Sequence, residues 1–167
     1  MNEITLPPVS EIDWSTWVPE QVATLMFILR NDEVLLIRKK RGLGAGKING
    51  PGGRIEGDET PEECAIRETN EELLINPINT RFGGELFFHA EDMPRIHVHI
   101  YVATDFEGTP SETDEAIPIW FKLDQLPFDE MWDDDRIWLG HVLQGGTVEG
   151  YFTFIEERLI DQQVIFN

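Results

Sequence analysis

Three glutamates spaced for one face of a helix are the residues of this chain best suited to chemistry. Glu68, Glu71 and Glu72 stand at positions i, i+3 and i+4 of a segment that opens with Thr60, a proline and Glu63, which is the pattern of a helix capping box. The closely spaced carboxylates repel one another, and two of them lie near the negative end of the helix dipole. A bound divalent cation would replace this repulsion by attraction, because carboxylates are hard oxygen ligands. The alternative is that the glutamates form a solvated acidic face of the helix.

The glutamates belong to a longer pattern with a glycine, a glutamate and an Arg-Glu pair at fixed spacing. The stretch reads GRIEGDETPEECAIRETNEELLI from Gly53 to Ile75. It resembles the Nudix box, the signature of hydrolases that cleave the acid anhydride of a nucleoside diphosphate linked to another group. Thr69 stands where the box has a hydrophobic residue, and Leu74 stands where it has a glycine. Neither departure removes a carboxylate, but Leu74 questions the usual glycine-ended helix turn.

Segments outside the box resemble the MutT-homologue branch of the Nudix family, whose members hydrolyse oxidised purine nucleoside triphosphates. These segments are KKRGLGAGKINGPGG, FEGTPSETDE, WFKLDQLPFDEMWDDDRIW and EGYFTF. The resemblance covers about residues 22–155. It implies Mg²⁺ as the cofactor, with Mn²⁺ as a possible substitute. The metal ligands it implies are the Gly52 carbonyl, Glu68, Glu71, Glu72 and Glu115.

The same resemblance assigns roles around the phosphates and the base. It implies that Glu68, Glu71, Glu72 and Arg67 form the catalytic group, with Glu72 or Glu68 acting on the attacking water. The substrate contacts that it implies are Thr24, Lys39, Asn49, Gly53, Trp132, Asp134 and Asp135. These residue types suit the roles, since an amide both donates and accepts, an indole stacks on a base, and adjacent buried aspartates can differ in protonation.

Four apolar positions depart from the mammalian-type members of this branch. Leu43 and Ile48 replace aromatic residues, Pro51 replaces a phenylalanine, and Ala116 replaces a methionine. We expect these changes to reshape the walls of the base pocket. The resemblance therefore predicts the metal ligands more directly than it predicts which nucleobase is preferred.

Composition limits the classes of partner. The chain has 167 residues and a formal net charge of −19, which disfavours nucleic-acid backbones and anionic membrane surfaces. Seven of its 13 basic residues fall between Arg30 and Arg54, so that positive charge is concentrated in one stretch. The single cysteine, Cys64, excludes an intrachain disulfide and favours the cytoplasm. No apolar run is long enough for a membrane helix.

The order of elements predicts an α+β fold in which a mixed sheet lies between helices, the α/β/α sandwich of the Nudix fold. A hairpin is predicted at residues 22–30 and 33–38, with Asn31 and Asp32 in its turn. A glycine-rich irregular loop then leads to the box helix. Further strands are predicted at residues 80–90, 95–105, 119–123, 150–155 and 158–166, and a second helix at about residues 133–143.

For two regions, the sequence is compatible with more than one interpretation. Residues 1–21 form an N-terminal arm of unknown role before the Nudix domain at residues 22–167, and the arm is either mobile or packed through Trp14 and Trp17. His97 and His99 share one face of a predicted strand. No third ligand lies at a suitable spacing along the chain, so we expect surface or core histidines and not a zinc site.

The sequence therefore predicts a Mg²⁺-dependent enzyme that hydrolyses oxidised purine nucleoside triphosphates, such as 8-oxo-dGTP, to the monophosphate and pyrophosphate. Its role would be sanitation of the nucleotide pool, and its partner a small nucleotide bound by a monomer. One alternative is a Nudix hydrolase of another nucleoside diphosphate-linked substrate, such as a dinucleotide polyphosphate. The other is a non-catalytic binding module, although every box glutamate is present.

Overall fold

The structure, a computed structural model, describes residues 5–167. Short 3₁₀ turns lie at Val9–Glu11 and Phe128–Glu130. The longer elements, in chain order, are β1 (Gln21–Arg30), β2 (Glu33–Lys39), β3 (Ile48–Asn49), α1 (Pro61–Leu73), β4 (Asn76–Ala90), β5 (Ile96–Glu107), β6 (Ala116–Lys122), α2 (Asp135–Leu143), β7 (Val148–Ile155) and β8 (Arg158–Phe166).

The described strands form one sheet of mixed direction. Its order is β3-β2-β1-β5-β4-β7-β8, and β6 pairs with β2. The β1–β5 and β4–β7 pairs are parallel, whereas the other pairs are antiparallel. This arrangement confirms the predicted mixed sheet.

Each face of the sheet buries one helix. On one face, Ala65 and Leu73 of α1 pack against β-strand residues that include Met26 and Tyr101. On the other face, Trp138 of α2 packs among residues that include Phe27, Val98 and Ile100. Successive residues of one strand pack into the cores on opposite faces of the sheet, because their side chains point to opposite sides. The α/β/α sandwich is therefore confirmed.

Most predicted elements are present, with differences at their ends and in the glycine-rich loop. Asn31 adopts a positive φ of 57° in the turn of the β1–β2 hairpin, as turn chemistry predicts. The prediction that the loop holds no regular element was wrong, because Ile48 and Asn49 pair with Arg38 and Ile37. β4 starts at Asn76 instead of residue 80, since the chain enters the sheet directly after α1 and pairs with the end of β5.

The described part of the N-terminal segment packs onto the sheet. The Trp14 ring lies 4.9 Å from that of Tyr151, and Trp17 Nε1 donates to His89 Nδ1 at 3.0 Å. Val9 is buried, and its amide donates to the Asp161 carboxylate at 2.8 Å. The packed alternative thus holds for residues 5–20, whereas residues 1–4 of the predicted arm lie outside the described residues. Within residues 5–167, no helix has the length and apolar character needed to cross a bilayer.

Candidate active site

Local hydrogen bonds fix the start of α1 and with it the direction of the box glutamates. The Thr60 hydroxyl accepts from the Glu63 amide at 3.1 Å, and the Glu63 carboxylate accepts from the Thr60 amide at 3.2 Å. Pro61 occupies the first turn, where its missing N–H costs no helical bond. The predicted capping box is therefore confirmed, and it sets the register of the glutamates one to three turns later.

Arg67 holds the loop before α1 against the helix. Its guanidinium donates to both carboxylate oxygens of Glu59, at 2.9 and 2.6 Å, and to Glu68 at 3.0 Å. The contact with Glu71, which the sequence singled out, is longer at 3.3 Å. The hydrogen bond from Arg67, followed by one from the Glu56 amide, lowers the pKa of Glu59 to about 2. Glu59 is thus the main partner of Arg67, and the assignment of Arg67 to the catalytic group stays a prediction.

Three carboxylates converge although they come from two parts of the chain. Oxygen atoms of Glu68, Glu72 and Glu115 lie within 4.8 Å of one another. Burial, followed by a hydrogen bond from the Gly52 amide that acts in the opposite sense, raises the pKa of Glu72 to about 8. Glu72 is 5% exposed, and its Oε2 accepts that amide at 3.1 Å. Burial also raises the pKa of Glu68. A hard divalent cation fits these clustered oxygens and would favour the charged forms of Glu68 and Glu72.

Glu71 does not join this cluster. Its side chain is half exposed and faces Arg67, while Glu68 and Glu72 point inward. Its assignment as a metal ligand stays a prediction.

Two glycines allow the backbone to approach these carboxylates. A Cβ added at Gly52 would lie 1.9 Å from the Thr24 carbonyl oxygen, and one added at Gly53 would lie 2.4 Å from the Glu68 carboxyl carbon. Any side chain at either position would therefore displace the strand or the glutamate. Whether the Gly52 carbonyl binds the metal and Gly53 contacts substrate stays a prediction.

The two departures from the box are accommodated locally. Thr69 is fully buried, and its hydroxyl donates to the Ala65 carbonyl at 2.7 Å, so that a polar residue occupies an apolar position without an unpaired group. Leu74 ends the helix with a φ of 61° and a ψ of 33°. The left-handed turn is therefore kept without glycine, at the cost of a strained leucine.

A cleft of about 470 Å³ joins the carboxylate cluster to the predicted base-binding residues. Its lining includes Glu68, Glu72 and Glu115 together with the predicted substrate contacts Thr24, Lys39, Asn49, Gly53, Trp132, Asp134 and Asp135. The structure thus brings the two groups of residues to one cavity. Arg67 and Glu71 do not line it.

The aspartate pair contains the most deeply buried ionisable groups of the cleft lining. Asp134 and Asp135 are 2% and 3% exposed. Asp134 Oδ2 accepts from Trp138 Nε1 at 2.8 Å, whereas Asp135 Oδ2 has no hydrogen-bond partner within residues 5–167. Burial raises the pKa of Asp134 to about 6 and that of Asp135 well above its usual value, and the neighbouring aspartate raises the latter further. A buried oxygen without a partner is a place for a ligand donor or acceptor.

Other predicted substrate contacts have partners within the protein. Asn49 Oδ1 accepts from the Gly50 amide at 2.8 Å, and Lys39 Nζ donates to the Leu43 carbonyl at 2.7 Å. The Thr24 hydroxyl lies 3.3 Å from Cys64 Sγ, on the side of the sheet covered by α1. Lys47 Nζ lies 5.1 Å from the centre of the Trp132 ring, as in a cation–π contact.

Only part of the expected change in the pocket walls is present. Leu43 lines the cleft, but Ile48, Pro51 and Ala116 do not. Ile48 and Ala116 are fully buried in the two cores instead. The expectation that all four changes reshape the pocket walls was therefore wrong, because three of these side chains do not reach the cavity.

One ion pair at the site was missed by the sequence reasoning. Arg41 Nη2 lies 2.9 Å from Glu115 Oε1. The basic run that contains Arg41 was visible in the sequence, but its pairing with a loop more than 70 residues away depends on the β2–β6 register, in which Lys39 faces Ala116.

Comparison with known proteins places this geometry in a family. Residues 19–142 match the NUDIX domain. The chain belongs to the NUDIX family. It is 40% identical over 136 residues to the oxidized purine nucleoside triphosphate hydrolase of Danio rerio, covering 80% of this chain and 86% of the relative. The Mus musculus protein of the same description is 40% identical over 138 residues, with 82% and 88% covered.

Solved structures agree on the fold. The crystal structure of a MutT protein from Bacillus halodurans matches with a TM-score of 0.76 at 24% identity, covering 86% of this chain and 97% of the other. The chain is thus a Nudix hydrolase, and enzymes of this family depend on divalent metal ions.

Proposed function

We propose that this Nudix hydrolase converts oxidised purine nucleoside triphosphates, such as 8-oxo-dGTP, to the monophosphate and pyrophosphate, with Mg²⁺ as the cofactor. The observation that carries this proposal is a single cleft lined both by the carboxylate cluster and by two buried aspartates whose protonated forms are favoured. The description of the 40% identical relatives as oxidized purine nucleoside triphosphate hydrolases supports the same substrate class.

At the phosphate end, the chain supplies oxygen ligands and a proton acceptor. Glu68, Glu72 and Glu115 would hold Mg²⁺, with Glu71 and the Gly52 carbonyl as further candidates. When bound, Mg²⁺ would neutralise charge on the phosphate oxygens and on the leaving group. Water would attack the α- or the β-phosphorus, the bond between that phosphorus and the oxygen bridging the two would break, and the monophosphate and pyrophosphate would separate. Glu72 or Glu68 orients that water and takes its proton.

Lys39 would act on the same phosphates as a local positive charge. It ends β2 and lines the cleft, close enough to Glu72 to lower the pKa of that carboxyl. Replacing the Leu43 carbonyl by a phosphate oxygen as the partner of Nζ would pair the ammonium with an ionised acceptor and add a Coulombic attraction to the hydrogen bond.

At the base end, recognition of the purine would depend on how many protons the two aspartates hold. A protonated carboxyl donates a hydrogen bond and an ionised one accepts, so two adjacent aspartates can meet a donor and an acceptor on one purine edge. The Asn49 amide adds a donor, and Trp132 offers a ring face for stacking, worth roughly 1–3 kcal/mol. A polar site rejects a mismatched base strongly, because buried groups are then left unpaired.

Turnover measurements test the proposal. We expect wild-type kcat/KM with Mg²⁺ to be highest for oxidised purines among 8-oxo-dGTP, 2-oxo-dATP, dGTP and dCTP, with monophosphate and pyrophosphate as products. Asp134→Asn replaces a carboxyl that can gain or lose a proton by an amide that cannot, and it should lower kcat/KM for 8-oxo-dGTP. Asp129→Asn is the matched control, because the Asp129 side chain is 99% exposed and pairs with Arg136 at 3.2 Å, and neither residue lines the cleft.

Four results would contradict the proposal. Equal rates on dCTP and the purines would remove the base-recognition assignment, as would an unchanged substrate profile in Asp134→Asn. Faster cleavage of a dinucleotide polyphosphate than of any triphosphate would favour the alternative substrate class. No turnover of any nucleotide would favour a binding module.

The setting that we propose is a monomer in the cytoplasm whose partner is a small nucleotide and not a nucleic acid. The net charge of −19 opposes binding to a polyanion, and the one cysteine, Cys64, is buried and free. Size-exclusion chromatography with light scattering tests the oligomeric state.

A further inference from the structure

A second group of metal-binding residue types lies outside the hydrolase cleft. No third ligand for His97 and His99 stands at a suitable spacing along the chain, but Glu85 of the neighbouring strand brings a carboxylate oxygen within 4.8 Å of a nitrogen of each ring. In the β4–β5 register, Glu85 is directly opposite His99, and Phe87 is opposite His97. The third ligand is therefore near in space although it is 12 residues from His97 in sequence.

We propose that Glu85, His97 and His99 bind a divalent transition-metal ion of the Zn²⁺ class. His97 Nε2 lies 3.0 Å from Glu85 Oε1, and His99 Nδ1 lies 3.6 Å from the same oxygen. Zn²⁺ binds such atoms at about 2.0–2.2 Å in a tetrahedron, whose neighbouring ligands are then about 3.3 Å apart. The observed separations lie on either side of that value. Two imidazoles and one carboxylate would leave the fourth position for water.

This site is separate from the predicted Mg²⁺ site. Leu86, Ile96 and Val98 line the hydrolase cleft, whereas Glu85, His97 and His99 do not. Alternate strand residues point to opposite faces of a sheet, so the three ligands project away from the cleft lining on β4 and β5. The ligand chemistry also differs, because imidazole favours zinc and similar transition metals while an all-carboxylate site suits Mg²⁺.

Neighbouring groups orient the ligands before any metal binds. The His97 ring is stacked on Phe87 at 4.4 Å with an interplanar angle of 14°, and Phe87 is stacked on Tyr151 at 5.0 Å with an angle of 9°. The side chains of Glu85, His97 and His99 are 34%, 20% and 17% exposed, so an ion can reach them while their freedom is limited.

A hydrogen bond between His97 and Glu85 explains only part of this arrangement. The His99 ring forms no hydrogen bond with any of residues 5–167, although it is turned toward the same carboxylate oxygen. Glu149, opposite Glu85 in the β4–β7 register, adds a second negative charge that attracts cations. A bound cation would use both ring nitrogens and compensate both carboxylates.

Zinc titration in a large excess of Mg²⁺ tests the proposal, since Mg²⁺ keeps the carboxylate cluster occupied. We expect wild-type protein to bind one Zn²⁺ under these conditions and to shift the side-chain ¹⁵N signals of His97 and His99. Loss of an outer partner of a metal ligand lowers affinity roughly 10–100-fold. Removal of a ligand itself by His97→Gln or His99→Gln should therefore lower Zn²⁺ affinity by at least about 100-fold.

His141→Gln is the matched control, because the His141 ring contacts the Asn167 carbonyl and Phe166 near the C-terminus and does not belong to the Glu85, His97 and His99 cluster. It should bind Zn²⁺ as wild type does. Unchanged Mg²⁺-dependent turnover and an unchanged Tm in EDTA would show that the His97 and His99 variants are folded. Zn²⁺ that leaves the wild-type His97 and His99 signals unmoved would overturn the proposal, as would equal affinities in wild type and the His97 and His99 variants. Neither result would bear on the hydrolase assignment.

Discussion

Replacement of Glu72 by glutamine separates the metal-binding role of this residue from its effect on the fold. Glu72 is the most buried member of the carboxylate cluster, at 5% exposed, and it accepts from the Gly52 amide. A glutamine oxygen can accept the same hydrogen bond, but the amide cannot ionise. The variant should therefore remove a negative charge from the site while keeping the contact that holds the Gly52 backbone.

The magnitude follows from the pKa of Glu72, which rises from 4.5 to about 8 on folding because the side chain is buried. At about 1.36 kcal/mol per pKa unit, this shift corresponds to about 5 kcal/mol. The folded state binds the proton more tightly than the unfolded state, so the contribution is fully present below pH 4.5 and is lost as pH rises through about 8. Metal-free wild type should thus lose stability with rising pH.

Urea unfolding in EDTA measures this effect. Between about pH 5 and about pH 9, the free energy of unfolding of wild type should fall by about 4 kcal/mol relative to Glu72→Gln. Asp134 and Asp135 also have raised pKa values, but they are present in both proteins and cancel in the comparison. Parallel pH curves for the two proteins would refute the reasoning. At saturating Mg²⁺, the variant should also lose turnover by at least about 100-fold, the lower range of general-base catalysis.

Three further substitutions test local features. Leu74→Gly should raise the free energy of unfolding by about 1 kcal/mol, because it removes the left-handed strain; equal or lower stability in urea would contradict this. Gly53→Ala should lower kcat roughly 100-fold by displacing Glu68. The control is Gly140→Ala in α2, where an added Cβ has no neighbouring atom within 4 Å. It should leave kcat unchanged and raise the free energy of unfolding by about 0.5–1 kcal/mol. Arg67→Lys cannot reproduce the two-pronged contact with Glu59 and should lower kcat/KM roughly 10–100-fold; wild-type kinetics would rule out its positioning role.

The sequence predicted the parts of the fold whose causes are local. The capping box, the Asn31 turn and the alternation of apolar residues in the strands all act over a few residues, so their elements appear where expected. Leu74 is the informative exception. The missing glycine questioned the helix turn, but the hydrogen bond that the Leu74 amide donates to the Asn70 carbonyl holds the turn in place.

Contacts between strands account for what the sequence did not predict. Arg41 meets Glu115 only because β2 pairs with β6, and Glu85 meets His97 and His99 only because β4 pairs with β5. Spacing along the chain carries no sign of either contact. The same limit explains Ile48, which substitutes for an aromatic residue but is fully buried in the core and does not line the cleft.

Ion pairs within the protein reduce the positive charge that the basic run at residues 38–41 can offer to a substrate. The basic run beside the box concentrates positive charge in a chain whose net charge is −19. Arg38, Lys40 and Arg41 form ion pairs with Glu130, Glu112 and Glu115. Among residues 5–167, Lys39 is the member of the run without an ion pair, and it lines the cleft. Under the proposed function, attraction of a triphosphate would therefore depend on Lys39 and Arg54, which line the cleft without an ion pair among residues 5–167, and on a cation bound by the carboxylates. The charges of paired residues largely cancel at a distance.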